Sequence, residues 1–237
     1  YDIKIFLERN YIVKKFLTIL ILSTLILCAC NFEQDVENKH DRNASTKTTG
    51  NEQKKKEVIN GRTYYDGILI VNKTTKLPSD YNPGEKPKAQ RALQRMFTDA
   101  EKDGVSLYKI SGFRSYETQV NLYNQYVARD GEQAADRYSA RPGTSEHQSG
   151  LSYDVGAIGS ACNLREQFGE TKEGQWIARN AHRYGFIIRY PKGKEQITGY
   201  QYEPWHLRYL GKNNAAKVQH SGQALEEYVR YKDRSKS

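Results

Sequence analysis

Two short segments of this 237-residue sequence carry residue types that could perform hydrolytic chemistry. In the first segment, His147 precedes the carboxylate of Asp154 by seven positions, and in the second Glu203 precedes His206 by three. Two imidazoles and one carboxylate are a ligand set that catalytic zinc takes, with a fourth position left open for water. The remaining carboxylate, Glu203, is then a candidate general base for that water.

Each histidine taken singly has a plainer interpretation, because a lone His147 or His206 could be an ordinary hydrogen-bonded polar side chain. Pro204 separates Glu203 from His206 and disfavours a helix interior, so we expect this pair at a strand end or turn. Trp205 lies between the candidate base and a candidate ligand and is expected to point into the interior. The remaining histidines lack such partners and are His40, His182 and His220.

Three motifs in this order resemble those of the VanY-type D-alanyl-D-alanine carboxypeptidases and the related LD-carboxypeptidases. The motifs are Ser-Gly-Phe-Arg-Ser from Ser111 followed by Gln119, Ser-x-His-x-x-Gly-x-x-x-Asp from Ser145, and Glu-x-Trp-His from Glu203. The resemblance covers roughly residues 68–210. It implies that His147, Asp154 and His206 bind Zn2+ and that Glu203 is the catalytic acid and base.

The same resemblance implies roles for three further side chains. Arg114 would face the substrate or the developing oxyanion, while Ser145 and Gln119 would help to hold the C-terminal end of the peptide. Without the resemblance, Arg114 could form a surface ion pair, Ser145 could be a loop hydroxyl and Gln119 a helix-surface amide. Ser152 stands where many relatives carry Ala, a change that we expect to leave metal ligation intact.

Hydrophobic periodicity places these residues on mixed helices and strands. Because the two types do not alternate regularly, the sequence predicts an α+β fold, a single compact zinc-peptidase domain with a small antiparallel sheet flanked by helices. The domain is expected to span residues 58–237, which is long enough for one core. Helices are predicted over 87–102, 116–129, 132–138 and 174–184, and extended segments over 67–72, 105–111, 151–155, 186–190 and 200–207.

The N-terminal residues are predicted to be an export signal and not part of the fold. Two lysines precede the apolar run Phe16–Leu27, which is short for a membrane-spanning helix. The segment Leu27–Cys30 resembles a bacterial lipobox, which implies cleavage before Cys30 and lipid attachment to it. We therefore expect residues 1–29 to be a signal peptide, with over-translated sequence before Val13; an uncleaved membrane anchor is the alternative.

Residues 30–57 are polar and charged and are predicted to be a disordered, lipid-anchored tether. The expected location is therefore outside the cytoplasm, on the bacterial cell membrane. Cys162 is the one cysteine beyond the N-terminal region, so no disulfide is expected in the domain. The net charge of +9 suits an anionic surface such as phospholipid or cell-wall polymer. No nucleic-acid-binding signature and no obligate protein partner is evident.

These patterns predict an exported zinc carboxypeptidase that trims peptidoglycan stem peptides, with a terminal D-Ala-D-Ala as the leading substrate. LD-carboxypeptidase activity on a tetrapeptide stem stays open, because that choice depends on the shape of the substrate pocket. A wall endopeptidase would need a cleft open at both ends. A non-catalytic wall-binding module would have no use for the spare base Glu203, since structural zinc usually has four protein ligands.

Overall fold

The computed structural model describes residues 54–230. The helices are α1 (Pro87–Lys102), α2 (Tyr116–Asp130), α3 (Glu132–Tyr138), α4 (Lys172–Asn180), α5 (Glu195–Thr198), α6 (Lys212–Ser221) and α7 (Leu225–Tyr228). The strands are β1 (Lys56–Ile59), β2 (Arg62–Tyr65), β3 (Ile68–Leu69), β4 (Leu107–Ser111), β5 (Ser152–Ala157), β6 (Phe186–Ile188) and β7 (His206–Tyr209). Short 3-10 turns span Glu146–Ser149, Glu166–Glu170 and Ala181–Tyr184. None of these helices is long and apolar enough to cross a membrane.

The strands form two small sheets, and every strand pair in both is antiparallel. One sheet has the order β1-β2-β3, and the other has the order β4-β5-β7-β6. The second sheet places β7 beside β5, although about fifty residues separate these strands in the sequence. This arrangement confirms the predicted α+β fold with small antiparallel sheets and helices.

The main core lies between α1 and the four-stranded sheet. Pro87 begins α1, where its fixed φ is compatible with the first turn and its missing N–H costs no hydrogen bond. The buried stripe of α1, which includes the fully buried Met96, packs in one cluster with Tyr153, Val155 and Leu207 of the sheet. The apolar spacing read from the sequence therefore identified the correct face of this helix.

Several predicted boundaries differ from the structure by two residues or more. Strand β1 begins at Lys56, inside the predicted tether, because the Asn60-Gly61 turn folds Lys56–Ile59 back onto β2. The predicted helix over 174–184 is a shorter α4, capped by the Thr171 hydroxyl and continued by a 3-10 turn. Of the extended segment predicted over 200–207, strand structure begins only at His206. The predicted signal peptide and Cys30 lie outside the described residues.

Candidate active site

The three predicted metal ligands come together on two strands and one turn. His147 lies on the 3-10 turn that precedes β5, Asp154 lies within β5 and His206 is the first residue of β7. Asp154 and His206 are directly opposite each other in the β5–β7 register, which brings their side chains close. All three residues are buried, and one ligand atom from each lies within 4.8 Å of the other two.

The ring of His147 is oriented by the backbone of the β4–α2 loop. Its Nδ1 lies 2.8 Å from the carbonyl oxygen of Gly112. Because a carbonyl can only accept, Nδ1 carries the hydrogen, and the lone pair of Nε2 points towards Asp154 Oδ2 at 3.3 Å. Ser111 also donates to Asp154 Oδ2, at 2.6 Å. The Ser-Gly pair of this motif thus supports two of the ligands, a role that the sequence analysis missed.

The turn that carries His147 depends on a close backbone approach. Gly150 ends this turn with φ of +70°, and its carbonyl accepts the backbone N–H of Lys86 at 2.9 Å. A Cβ at Gly150 would lie 2.0 Å from the carbonyl oxygen of Gly84. Only glycine therefore satisfies both the left-handed backbone and the contact with the segment that leads into α1.

His206 is surrounded by carboxylates. Its Nδ1 lies 3.3 Å from Asp154 Oδ1 and 3.6 Å from Glu203 Oε2, and its Nε2 faces Glu146 Oε2 at 3.7 Å. Its ring packs against that of Tyr190, with centroids 4.9 Å apart. Burial lowers the pKa of His206, but the neighbouring carboxylates outweigh burial and raise this pKa to about 9.

This donor set fits a zinc ion. Zinc ligands about 2 Å from a tetrahedral ion lie about 3.3 Å from one another, close to the separations that Asp154 makes with the two histidines. Oδ1 of Asp154 is buried and accepts no hydrogen bond from the described residues, as expected for an oxygen that a cation would satisfy. Asp154 is also held ionised, because the two histidines lower its pKa well below the usual value despite burial.

Glu203 stands beside this centre on the turn that leads into β7. Its backbone N–H donates to Tyr190, and its carbonyl accepts from the backbone of His206, so the two residues form the predicted turn. The carboxyl group is buried, and this burial raises the pKa of Glu203 to about 7. The positive charge of His206 opposes this shift, and the negative charge of Asp154 adds to it. A carboxyl with this pKa can take and return a proton near neutral pH.

Arg114 and Ser145 line the same cavity, and Gln119 lies next to Arg114. Gln119 is only 1% exposed and accepts a hydrogen bond from Arg114 Nη1 at 2.9 Å. Its amide nitrogen donates to the carbonyl of Ala140 at 2.7 Å. Gln119 is therefore not a surface amide, and it holds the guanidinium of Arg114 from behind; its contact with the substrate stays a prediction.

The cavity over the ligands has a volume of about 360 Å³, a size that suits the end of a peptide. The cavity is lined by the polar residues described above and by four tyrosines, Tyr126, Tyr138, Tyr190 and Tyr200. Trp205 is buried in the main core, as predicted, although it also borders the cavity. The predicted metal ligands, Glu203, Arg114 and Ser145 therefore come together at this cavity. His182 does not, and its ring lies beside that of His220.

A buried ionic network behind His206 is the main feature that the sequence analysis missed. Glu146 and Glu226 pair with Arg189 and Arg208, and all four side chains are at least 96% buried. Burial opposes ionisation of Glu146, but Arg208 and Arg189 outweigh it and hold its pKa well below the usual value. These residues are far apart in the sequence, and the only local sign is an arginine within or next to an apolar strand.

Comparison with known proteins is consistent with this geometry. The family model described as "VanY: D-alanyl-D-alanine carboxypeptidase" matches residues 84–212. The chain is 42% identical over 180 residues to the putative carboxypeptidase YodJ of Bacillus subtilis. This match covers 68% of the chain and 66% of YodJ, so the chain spans just under two thirds of that relative's length.

Two solved structures extend the comparison. That of the LdcB LD-carboxypeptidase is 43% identical, with a TM-score of 0.70, and covers 76% of this chain and 97% of its own. That of a VanY D,D-pentapeptidase variant from a VanB-type resistance cassette, in complex with Zn(II), is 36% identical, with a TM-score of 0.59. The second match covers 68% of this chain and 97% of the pentapeptidase.

Proposed function

Because this chain belongs to the VanY family of D-alanyl-D-alanine carboxypeptidases, we propose that it is a zinc-dependent carboxypeptidase that releases the terminal D-alanine of peptidoglycan stem peptides. One observation carries the proposal. The buried carboxyl group of Glu203, with a pKa raised to about 7, stands beside a three-ligand centre in a cavity that Arg114 also lines. This arrangement would bring a metal ion, a general base and a guanidinium cation to the C-terminal end of a bound peptide.

The reaction follows from these positions. Zinc held by His147, Asp154 and His206 supplies, when bound, a Lewis acid that acidifies water and polarises the scissile carbonyl. Glu203 accepts the proton of the attacking water and then returns it to the amine of the leaving D-alanine. Arg114, held by Gln119, offers its guanidinium to the C-terminal carboxylate of the peptide or to the negative charge that develops during attack.

Between the two D-alanine-releasing activities, we propose the LD-carboxypeptidase reaction on a tetrapeptide stem as the first candidate. The LdcB LD-carboxypeptidase shares more sequence and structure with this chain than the VanY pentapeptidase does. The LdcB structure was described as revealing the basis of peptidoglycan recognition. This order reverses the leading expectation from the sequence. The D-Ala-D-Ala reaction is the second candidate, supported by the description of the matched family.

The proposed substrate also agrees with the expected location. Peptidoglycan lies outside the cytoplasm, so we propose that the chain is exported and anchored by a lipid on Cys30. Metabolic labelling with a radioactive fatty acid should mark the wild-type protein and not a Cys30→Ala variant. Equal labelling of both proteins would contradict the lipid anchor without affecting the proposed catalytic activity.

The decisive experiment measures D-alanine released from a tetrapeptide and from a pentapeptide stem by the full-length protein. We expect release that a chelator abolishes and zinc restores. Glu203→Gln should lower turnover by about 10²- to 10⁴-fold, the usual contribution of a general acid–base. Glu170→Gln is the matched control, because the side chain of Glu170 is 73% exposed, and it should retain full activity.

The two substrates separate the candidate functions. Release from the tetrapeptide alone identifies the LD-carboxypeptidase, and release from the pentapeptide alone identifies the D-Ala-D-Ala enzyme. Zinc binding without release from either peptide would refute the carboxypeptidase. An endopeptidase or a wall-binding module would then be the function to test.

A further inference from the structure

The second nitrogen of His206 points away from the centre, towards Glu146. Among the described residues Nε2 makes no hydrogen bond, and its atom is buried. Oε2 of Glu146 lies 3.7 Å away. This separation exceeds a hydrogen bond, so the carboxylate acts on the ring through its charge. It attracts an N–H at this position and repels a lone pair.

Glu146 cannot easily move away, because both of its oxygens are held. Oε1 accepts from Arg189 Nε at 2.7 Å and from Arg208 Nη1 at 2.5 Å. Oε2 accepts from the hydroxyl of Ser152 at 3.0 Å. Arg208 is itself fixed by a hydrogen bond of 2.6 Å to the carbonyl of Leu69. The negative charge of Glu146 thus stays in one place behind the histidine.

The position of this charge determines which nitrogen of His206 is free to bind a metal. A neutral imidazole carries one hydrogen, and metal-binding histidines usually donate it to a carboxylate or a carbonyl. For His147 the acceptor is the carbonyl of Gly112. For His206 the corresponding group is Glu146, which favours the hydrogen on Nε2 and directs the lone pair of Nδ1 towards Asp154.

We propose that Glu146 is a positioning residue of the zinc centre, which sets the tautomer and the orientation of His206 and thereby raises the affinity for zinc. The inference rests on the zinc centre of the proposed function. It adds a role for a residue that neither binds the zinc nor contacts the substrate in the mechanism above. It also gives the two buried arginines a function, because they keep the carboxylate of Glu146 in place.

The network contains its own control. Glu226 is the other buried acid of the network, and it accepts hydrogen bonds of 2.9 and 2.6 Å from Arg189. Within residues 54–230, no hydrogen bond or ion pair joins Glu226 to His206. Removing the charge of Glu146 or of Glu226 leaves the arginines short of one negative charge. Both changes should therefore destabilise the fold, since an unpaired buried charge is costly. Only the change at Glu146 alters the surroundings of a zinc ligand.

The experiment compares zinc dissociation constants of the full-length wild type, Glu146→Gln and Glu226→Gln by competition with a chromophoric chelator. It is carried out at about pH 9.5, where His206 is mostly deprotonated and proton competition is small. We expect zinc to bind Glu146→Gln about 10- to 100-fold more weakly, the usual effect of losing such a partner. Zinc should bind Glu226→Gln within about twofold of the wild type by the same reasoning. In NMR spectra of the zinc-loaded proteins, the Nε2–H proton of His206 should shift in the first variant and not in the second.

Each outcome is decisive. Equal zinc affinities for Glu146→Gln and the wild type, or equal losses in both variants, would overturn the proposal. If Glu146→Gln does not fold, Glu146→Asp keeps the charge beside the arginines but shortens the side chain; wild-type affinity in that variant would equally overturn it. If the wild type itself does not bind zinc, the proposed function fails first, which separates the two failures.

Discussion

Zinc affinity should depend steeply on pH, because a proton occupies the site when the metal is absent. The carboxylates around His206 raise its pKa to about 9, so in the metal-free protein near neutral pH this imidazole is protonated. A metal ligand must be deprotonated, so zinc binding expels the proton. At pH 7, about two units below this pKa, zinc must displace the proton from His206. This competition weakens the apparent affinity for zinc about 100-fold, or by about 3 kcal/mol.

The sign of the effect follows from this competition. A raised pKa favours the metal-free protein at low pH, so zinc should bind more tightly as the pH rises from 7 to 9, by about tenfold per unit. Below pH 7 the dependence should become steeper. Glu203, with a pKa of about 7, is then also protonated in the metal-free protein, and a nearby cation favours its ionised form.

Chelator competition between pH 6 and about 9.5 measures this dependence, and calorimetry in buffers of different ionisation enthalpy counts the protons released. We expect one proton per zinc between pH 7 and 9. Glu203→Gln removes one of the carboxylates that raise the pKa of His206. In this variant the zinc affinity should therefore stop rising at a lower pH than in the wild type. The same zinc affinity at pH 7 and pH 9, with no proton release, would refute the reasoning.

Three further predictions concern the surroundings of the site. Gln119→Leu should lower kcat/KM about tenfold without loss of zinc, because Arg114 loses its partner; unchanged kinetics would contradict that role. Gly150→Ala should lower the melting temperature clearly more than Gly159→Ala, which shares a positive φ but meets no atom within 4 Å; equal melting losses would contradict the clash. Trp205→Ala should cost about 3–5 kcal/mol of unfolding free energy by denaturant titration, and less than about 1 kcal/mol would show that its packing contributes little.

The order of elements and the ligand set could be predicted from the sequence because both depend on local patterns. The spacing of apolar residues in α1 identified its buried face. The types and spacing of the histidines and acids already indicated zinc chemistry. Pro204 indicated that Glu203 and His206 would be presented on a turn, and they are.

The supporting contacts could not be predicted, because they join residues that only folding brings together. Arg114 donates a hydrogen bond to Gln119, a contact that their motif does not reveal. Glu146 meets Arg189 and Arg208 over separations of 43 and 62 residues. No local pattern indicates which buried charge will pair with which, since that choice depends on the register of the strands and the packing of the core.

For this protein, the sequence by itself determined which groups could do chemistry. Only the tertiary structure decided how they are oriented and charged. The β5–β7 register sets Asp154 opposite His206, and burial together with neighbouring charge sets the pKa values of His206 and Glu203. Both depend on distances and exclusion of water across the whole fold, because the strength of a charge interaction is a property of its surroundings and not of the residue alone.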